Sequence, residues 1–282
     1  MPGRRRTQVR VAAGVLDAEA AGPPGGPLVV LLHGFPQTPA CWADVLPALG
    51  RAGFHAVAPA QRGYSPGARP PAVGAYGIEA LADDVLAVAD AAGAPRFSVV
   101  GHDWGGAVAW WLGAERPDRV ASLTSLATPH PAAMARVLPR STQALRSAYV
   151  PFFRLPVLPE RALLAGRGAG LDRALRRSGL DPGPAATYVA AMRQPGALTA
   201  ALNWYRAASP WQLARCGRVG RPTLYVWGRR DVALGRAAAT ATSGFVDAPY
   251  RFEELDAPHW LPELEPERVT ALVRDHLERH AA

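Results

Sequence analysis

Lysine is absent from this chain: all 31 of its basic residues are arginine. Set against 23 acidic residues, they leave a formal net charge of +8. A charge of that sign invites a nucleic-acid partner, but no nucleic-acid-binding motif accompanies it, so the excess reads as compositional bias. Cysteine is scarce. Cys41 and Cys216 stand far apart, with no metal or redox spacing. That argues against a disulfide scaffold and for a reducing, cytoplasmic setting. No apolar run approaches the ~18 residues of a membrane span. Arg4-Arg5-Arg6 could open a targeting segment, yet Gly14, Asp17 and Glu19 interrupt the residues after it, so no secretory apolar region is expected. Internal repeats and low-complexity linkers are missing as well.

What is present is alternation. The 282 residues suffice for one large α/β domain with an insertion, or for two small domains. Gln8 to Val11 and Val15 to Ala20 read as a hairpin around Gly14, and Gly22 to Pro27 as a turn. Leu28 to Leu32 is an unbroken apolar run, the mark of a strand buried on both faces. Cys41 to Arg51 reads as a helix, and Phe54 to Ala58 as a strand. Ile78 to Ala92 carries Leu81, Val85, Leu86 and Val88 on one side and acids elsewhere, so it is an amphipathic helix. Val120 to Leu126, Thr223 to Trp227 and Tyr250 to Leu255 come next as strands, and Pro266 to His280 as a last helix. Strands alternating with helices predict a mostly parallel central sheet flanked by helices.

Residues 131–213 break this rhythm. They hold no convincing strand, and Pro139, Pro151, Pro156, Pro159, Pro182, Pro184 and Pro195 punctuate short helical patterns. The expectation is a helical cap of 131–213 inserted into a core made of 1–130 and 214–282. This segment carries eleven arginines against Glu160, Asp172 and Asp181, so the whole net charge lies in it.

The chain is organised around Ser98-Val99-Val100-Gly101-His102-Asp103-Trp104-Gly105-Gly106. A short strand, Phe97 to Val100, meets a helical pattern beginning near Ala107 across Gly-x-Asp-x-Gly. That is the nucleophile-elbow pattern with aspartate where serine is usual. The turn brings backbones too close for a Cβ at Gly101 and Gly105. A carboxylate suits its apex, because the orphan N–H groups and dipole of the next helix favour negative charge. Two further residues fit the order nucleophile, acid, histidine: Asp231 beyond Tyr225 to Gly228, and His259 beyond Tyr250 to Leu255. The other histidines fit less well. His102 adjoins the apex, His55 starts a strand, His130 opens the cap, and His276 and His280 read as solvated on the last helix. His33-Gly34-Phe35-Pro36 comes directly after the Leu28 to Leu32 strand. The backbone N–H groups of Phe35 and Trp104 are placed to meet an oxygen that becomes negative. His33 itself reads as structural.

With these residues the sequence resembles the α/β-hydrolase-fold epoxide hydrolases, close kin of the haloalkane dehalogenases. The resemblance runs from His33-Gly34-Phe35-Pro36 through the elbow to Pro258-His259-Trp260. It reaches the cap, where that family places two tyrosines over the nucleophile. One falls in Tyr149-Val150-Pro151-Phe152-Phe153-Arg154-Leu155-Pro156, the other in Asn203-Trp204-Tyr205-Arg206. The chain departs from the family pattern at Arg154, at Pro151, and at Pro258 where glycine is usual.

The resemblance implies opening of an epoxide to a vicinal diol. Asp103 would be the nucleophile, Asp231 and His259 the pair that activates water, and Tyr149 and Tyr205 the proton donors. Phe35, Trp104, Phe152, Trp204 and Trp260 are the pocket candidates. No metal and no organic cofactor is implied. The expected partners are a small epoxide and water, in a monomer or homodimer. Two alternatives stand beside this. One is a haloalkane or haloacid dehalogenase using the same aspartate; the other is an inactive hydrolase fold serving as a binding protein. Arg146, Arg154 and Arg206 flank the two tyrosines and would steer acidic substrates, although composition alone is the simpler account of them.

Overall fold

The computed structural model describes residues 3–280. Eight strands form its sheet: β1 (Arg4–Val11), β2 (Gly14–Ala21), β3 (Leu28–Leu32), β4 (His55–Pro59), β5 (Phe97–His102), β6 (Val120–Leu126), β7 (Thr223–Gly228) and β8 (Tyr250–Leu255). Their order across the sheet is β1-β2-β4-β3-β5-β6-β7-β8. The β1–β2 and β2–β4 pairs are antiparallel, and every other pair is parallel. Strands β3 to β7 are buried along their whole length, as a sheet covered by helices on both faces requires. The edge strand β8 is half exposed.

Three helices belong to the first half: α1 (Val45–Arg51), α2 (Ile78–Ala91) and α3 (Trp104–Glu115). Between β6 and β7 the chain is helical, with no strand among the described residues. It runs through α4 (Pro131–Val137), α5 (Gln143–Arg146), α6 (Tyr149–Arg154), α7 (Leu158–Arg177), α8 (Pro182–Met192), α9 (Ala197–Ala207) and α10 (Pro210–Ala214). The last helices are α11 (Arg236–Ala241), α12 (Leu261–Leu264) and α13 (Pro266–His280). Among the described residues no helix is long and apolar enough to cross a membrane.

The sheet differs from the expectation at its ends. β1 reaches back to Arg4, because cross-strand pairing with Ala21 extends the hairpin through residues that carry no apolar signal of their own. The region read as one helix from Cys41 is two elements. A 3-10 turn spans Pro39–Trp42, capped by the Thr38 hydroxyl, and α1 begins only at Val45. Pro47 gives the reason: it has no N–H for the carbonyl of Ala43 and its ring crowds that carbonyl, so a helix cannot run through from Cys41. α7 likewise contains a break at Ala165 to Gly168, where Gly166, Arg167 and Gly168 have positive φ. His276 is also not solvated. It is 5% exposed and shares the buried face of α13 with Val269, Leu272 and Val273, a spacing that matches the helical period.

Register places the site. Leu32 pairs with Gly101, Gly101 with Ser125, Ser125 with Tyr225, and Tyr225 with Phe252. The carboxyl ends of β3, β5, β7 and β8 therefore open on one edge of the sheet. β3 lies between β4 and β5, so the chain leaves it in one direction and returns on the other side. A crevice forms at such a switch point.

Candidate active site

Asp103 stands at the tip of β5 with φ 52° and ψ −121°. A non-glycine residue in that region stores roughly 1–3 kcal/mol of strain, held by its surroundings. The two flanking glycines make the turn possible. A Cβ on Gly101 would lie 2.1 Å from the carbonyl oxygen of Gly105, and one on Gly105 2.2 Å from that of Leu32. Helix α3 is apolar all round, and its residues Gly105 to Gly113 are buried. The elbow is thus locked between β3 and α3.

One oxygen of Asp103, Oδ1, accepts a hydrogen bond from the Phe35 N–H at 2.7 Å. The backbone that supplies this donor is pinned twice. Gln61 donates its backbone N–H to His33 Nε2 at 3.2 Å, so the ring proton sits on Nδ1, which donates to the Gly34 carbonyl at 3.0 Å. That carbonyl and the Phe35 N–H belong to one peptide plane. Burial pulls His33 down to about 4, so the neutral tautomer persists. The preceding plane is held by Gln61, whose side chain donates to the His33 carbonyl, and by Gln37, which accepts the Gly34 N–H at 2.8 Å. The Trp104 N–H, the other expected donor, makes no hydrogen bond to the Asp103 carboxylate among the described residues.

His259 comes just after β8, and its Nε2 lies 3.6 Å from Asp103 Oδ2. Its Nδ1 donates to Asp231 Oδ2 at 2.7 Å. The other oxygen of Asp231 accepts from the Ala233 and Leu234 N–H groups at 2.7 and 2.9 Å. Such a turn holds the carboxylate rigid. Burial alone would lower His259, but the charges of Asp231 and Asp103 outweigh it and raise the ring to about 10. Burial alone would raise Asp103, but the facing His259, the His102 ring and the Phe35 N–H hold it below its ordinary value.

Tyr149 on α6 and Tyr205 on α9 meet with ring centroids 6.2 Å apart. Tyr205 stands edge-on to Trp104 at 5.1 Å and to Phe35 at 5.4 Å, the residues on either side of Asp103. Burial raises both phenols above their ordinary value, and the Asp103 charge adds to the shift of each. Both therefore keep their protons at neutral pH.

The pocket candidates divide. Phe35 and Trp104 flank the carboxylate. Phe152 does not join them; Phe153 does, packing on Phe35, Tyr149 and Tyr205 at 5.1–5.3 Å. Phe152 and Phe153 are three and four residues from Tyr149, so helical spacing admits both; the seat of α6 on Phe35 and Tyr205 brings in Phe153. Trp204 is one layer back, edge-on to Trp104 at 6.0 Å, with its indole N–H on the Arg62 carbonyl. Trp260 lies edge-on to His259 at 5.2 Å, its indole N–H on Ser178. The arginines beside the tyrosines have protein partners. Arg146 donates to the Asp231 carbonyl, Arg154 to the Ala208 carbonyl, and Arg206 to the Leu155 carbonyl and Glu160. Gln37, Gln61, Phe153, Tyr188 and Glu263 escaped the sequence reading. None carried a local signal that set it apart, since Phe152 and Phe153 stand equally well placed by spacing from Tyr149.

Residues 27–266 match the family model described as alpha/beta hydrolase fold. The chain is 37% identical to the AB hydrolase superfamily protein YfhM of Bacillus subtilis, over 93% of this chain and 94% of that protein. It is 32% identical to epoxide hydrolase A of Mycobacterium tuberculosis, over 91% of this chain and 92% of that one. The crystal structure of epoxide hydrolase A from Mycobacterium thermoresistibile superposes with a TM-score of 0.84 at 28% identity, covering 98% of both chains. With its six parallel strands, its elbow aspartate and these relatives, the chain belongs to the α/β-hydrolase fold family, in the group of the epoxide hydrolases.

Proposed function

We propose that the protein hydrolyses an epoxide to a vicinal diol through a covalent ester on Asp103, with residues 131–213 forming a cap over the core. One observation carries the reading. The elbow presents a carboxylate whose Oδ1 is held by the Phe35 N–H, with the His259–Asp231 pair on one side and two protonated phenols nearby. The relatives named as epoxide hydrolases support it.

Asp103 is ionised and needs no base to act as a nucleophile. Its Oδ2 attacks a ring carbon, and the carbon–oxygen bond of the epoxide breaks. The alkoxide so formed is too basic to be left bare, and takes a proton from Tyr149 or Tyr205. The attack also consumes the Asp103 charge. That charge had raised both phenols and His259, so the phenols become better acids, and His259 gives up its proton to the phenolate and becomes a free base as the reaction proceeds. His259, aligned by Asp231, next takes a proton from water as the water oxygen bonds to the ester carbon. Negative charge then develops on Oδ1, against the Phe35 N–H. Collapse of this intermediate breaks the ester bond, frees the diol and restores the carboxylate. The hydroxyl proton of the intermediate passes to the departing alkoxide, and the proton that His259 took from water restores its resting state, so the sum is epoxide plus water.

His259→Gln should allow ester formation and stall its breakdown. Mass spectrometry after adding an epoxide that the wild type converts should show an Asp103-containing peptide heavier by one substrate. An unmodified peptide under saturation would sink the mechanism, and halide release from a haloalkane without diol formation would replace the activity.

A further inference from the structure

We propose that Glu263 is a positioning residue for this site: it anchors a buried hydrogen-bonded chain that restrains the Gly34 peptide and, through it, the Phe35 N–H. Glu263 lies in α12, just after His259. Its Oε1 accepts two hydrogen bonds at 2.7 Å, from the Gln37 side-chain amide and from the Tyr188 hydroxyl on α8. Its Oε2 is buried without a partner. Gln37 is thereby oriented with its nitrogen toward Glu263 and its oxygen away. That oxygen accepts the Gly34 N–H at 2.8 Å and lies 2.8 Å from His102 Nδ1. The other nitrogen of His102 lies 2.9 Å from the His259 backbone carbonyl. Burial keeps His102 neutral, so its one N–H serves one of these two oxygens; the chain from helix α8 through Glu263 and Gln37 ends at the Gly34 N–H in the loop after β3.

The need for it begins at Gly34. A Cβ there would lie 2.3 Å from Asp103 Oδ1, so the position tolerates only glycine. Glycine leaves the backbone free to turn, and the next peptide carries the Phe35 N–H. Hydrogen bonds must therefore supply the restraint that a side chain would have given. Gln37 supplies it only in one of its two amide orientations, since a flipped amide would set N–H against N–H at Gly34. Glu263 selects that orientation. Replacing Glu263 alone by an apolar residue of similar volume leaves the Gln37 amide and the Tyr188 hydroxyl buried without an acceptor, which costs stability. What the apolar residue lacks is the acceptor.

The kinetic side of this proposal rests on Phe35 serving the ester-breakdown step, as proposed for the mechanism; the positional side does not. The test compares Glu263→Gln with Glu263→Met. Glutamine keeps an oxygen for Gln37 and Tyr188, whereas methionine keeps only volume. Hydrogen exchange of the Gly34 amide, followed by NMR in the resting protein, reads the restraint directly. In the Met variant it should quicken by about 10-fold more than the exchange of core amides in β5, while the melting temperature falls because two buried donors lose their acceptor. Single-turnover kinetics should show ester breakdown slowed by about 10-fold and ester formation within about 3-fold. The Gln variant should restore both. Unchanged Gly34 exchange in a folded Met variant overturns the proposal, and so does a Gln variant as impaired as Met. Should the Met variant fail to fold, Gln37→Leu cuts the same chain one link closer to Gly34. Unchanged exchange at Gly34 in that variant overturns the proposal equally. If the wild type converts no epoxide, the assigned activity fails while Gly34 exchange still decides the role of Glu263.

Discussion

At the scale of single residues, the site is a balance of charges in a dry place. Asp103 and Asp231 sit so close to His259 that their charges set its protonation, and His259 in turn helps to hold Asp103 ionised. His259 is raised from 6.5 to about 10 in the folded protein. A raised histidine favours the folded state fully below its unfolded value, and that contribution is lost as pH climbs through the folded value. Asp103 is lowered, so its contribution is present above the ordinary carboxylate range and is lost on acidification. The melting temperature of the wild type should therefore fall between pH 6.5 and about 10. Over the same window His259→Gln should fall less. Parallel melting curves for the two proteins would show that His259 is not raised.

At the scale of elements, each catalytic candidate is delivered by a different device. The elbow needs the close approach of β5, α3 and β3, which glycine at 101 and 105 permits. The two phenols come from α6 and α9, which pack on one another, and neither helix alone would orient them. If both phenols donate as proposed, each covers for the loss of the other. Tyr149→Phe or Tyr205→Phe alone should slow ester formation by ~10-fold, and the double variant by about 10³-fold, as the loss of redundant donors does. Rapid-quench measurement of ester formation checks this. A double variant that forms the ester at the wild-type rate would remove the phenols from the mechanism.

At the scale of the whole molecule, buried polar links tie the helical segment between β6 and β7 to the core. The Trp204 indole donates to the Arg62 carbonyl, and Tyr188 reaches Glu263. Arg62 itself forms a two-pronged ion pair with Asp84, at 2.8 and 2.6 Å, with both side chains 6% exposed. Removing one partner leaves the other charged, buried and alone. Asp84→Ala should therefore cost about 3–5 kcal/mol of unfolding free energy, read by denaturant titration. A loss below about 1 kcal/mol, the level of a surface pair, would mean that water reaches Arg62. The arginines of this helical segment contribute differently. Arg146, Arg154 and Arg206 cross-link helices and loops through carbonyl oxygens, and Arg206 is neutralised by Glu160. A protein-held arginine explains their position without an anionic substrate.

The parallel sheet, the elbow and the order Asp103, Asp231, His259 were legible in the sequence, because each leaves a local mark. Buried strands are unbroken apolar runs, a sharp turn demands glycine, and the acid and histidine come after late strands. The tyrosines were legible only through resemblance, since no local rule sets a cap residue over a distant loop. The break before α1 was also written locally, in Pro47, and the buried place of His276 in the period of α13. Tertiary structure alone decided the rest. Which phenylalanine faces Asp103 depends on how α6 is rotated against α9. Which arginines are free depends on carbonyls up to 85 positions away in the chain. The chain from Tyr188 through Glu263 and Gln37 to Gly34 links residues as much as 226 positions apart. No window of sequence contains it, because hydrogen bonds between loops are chosen by where the sheet brings those loops together.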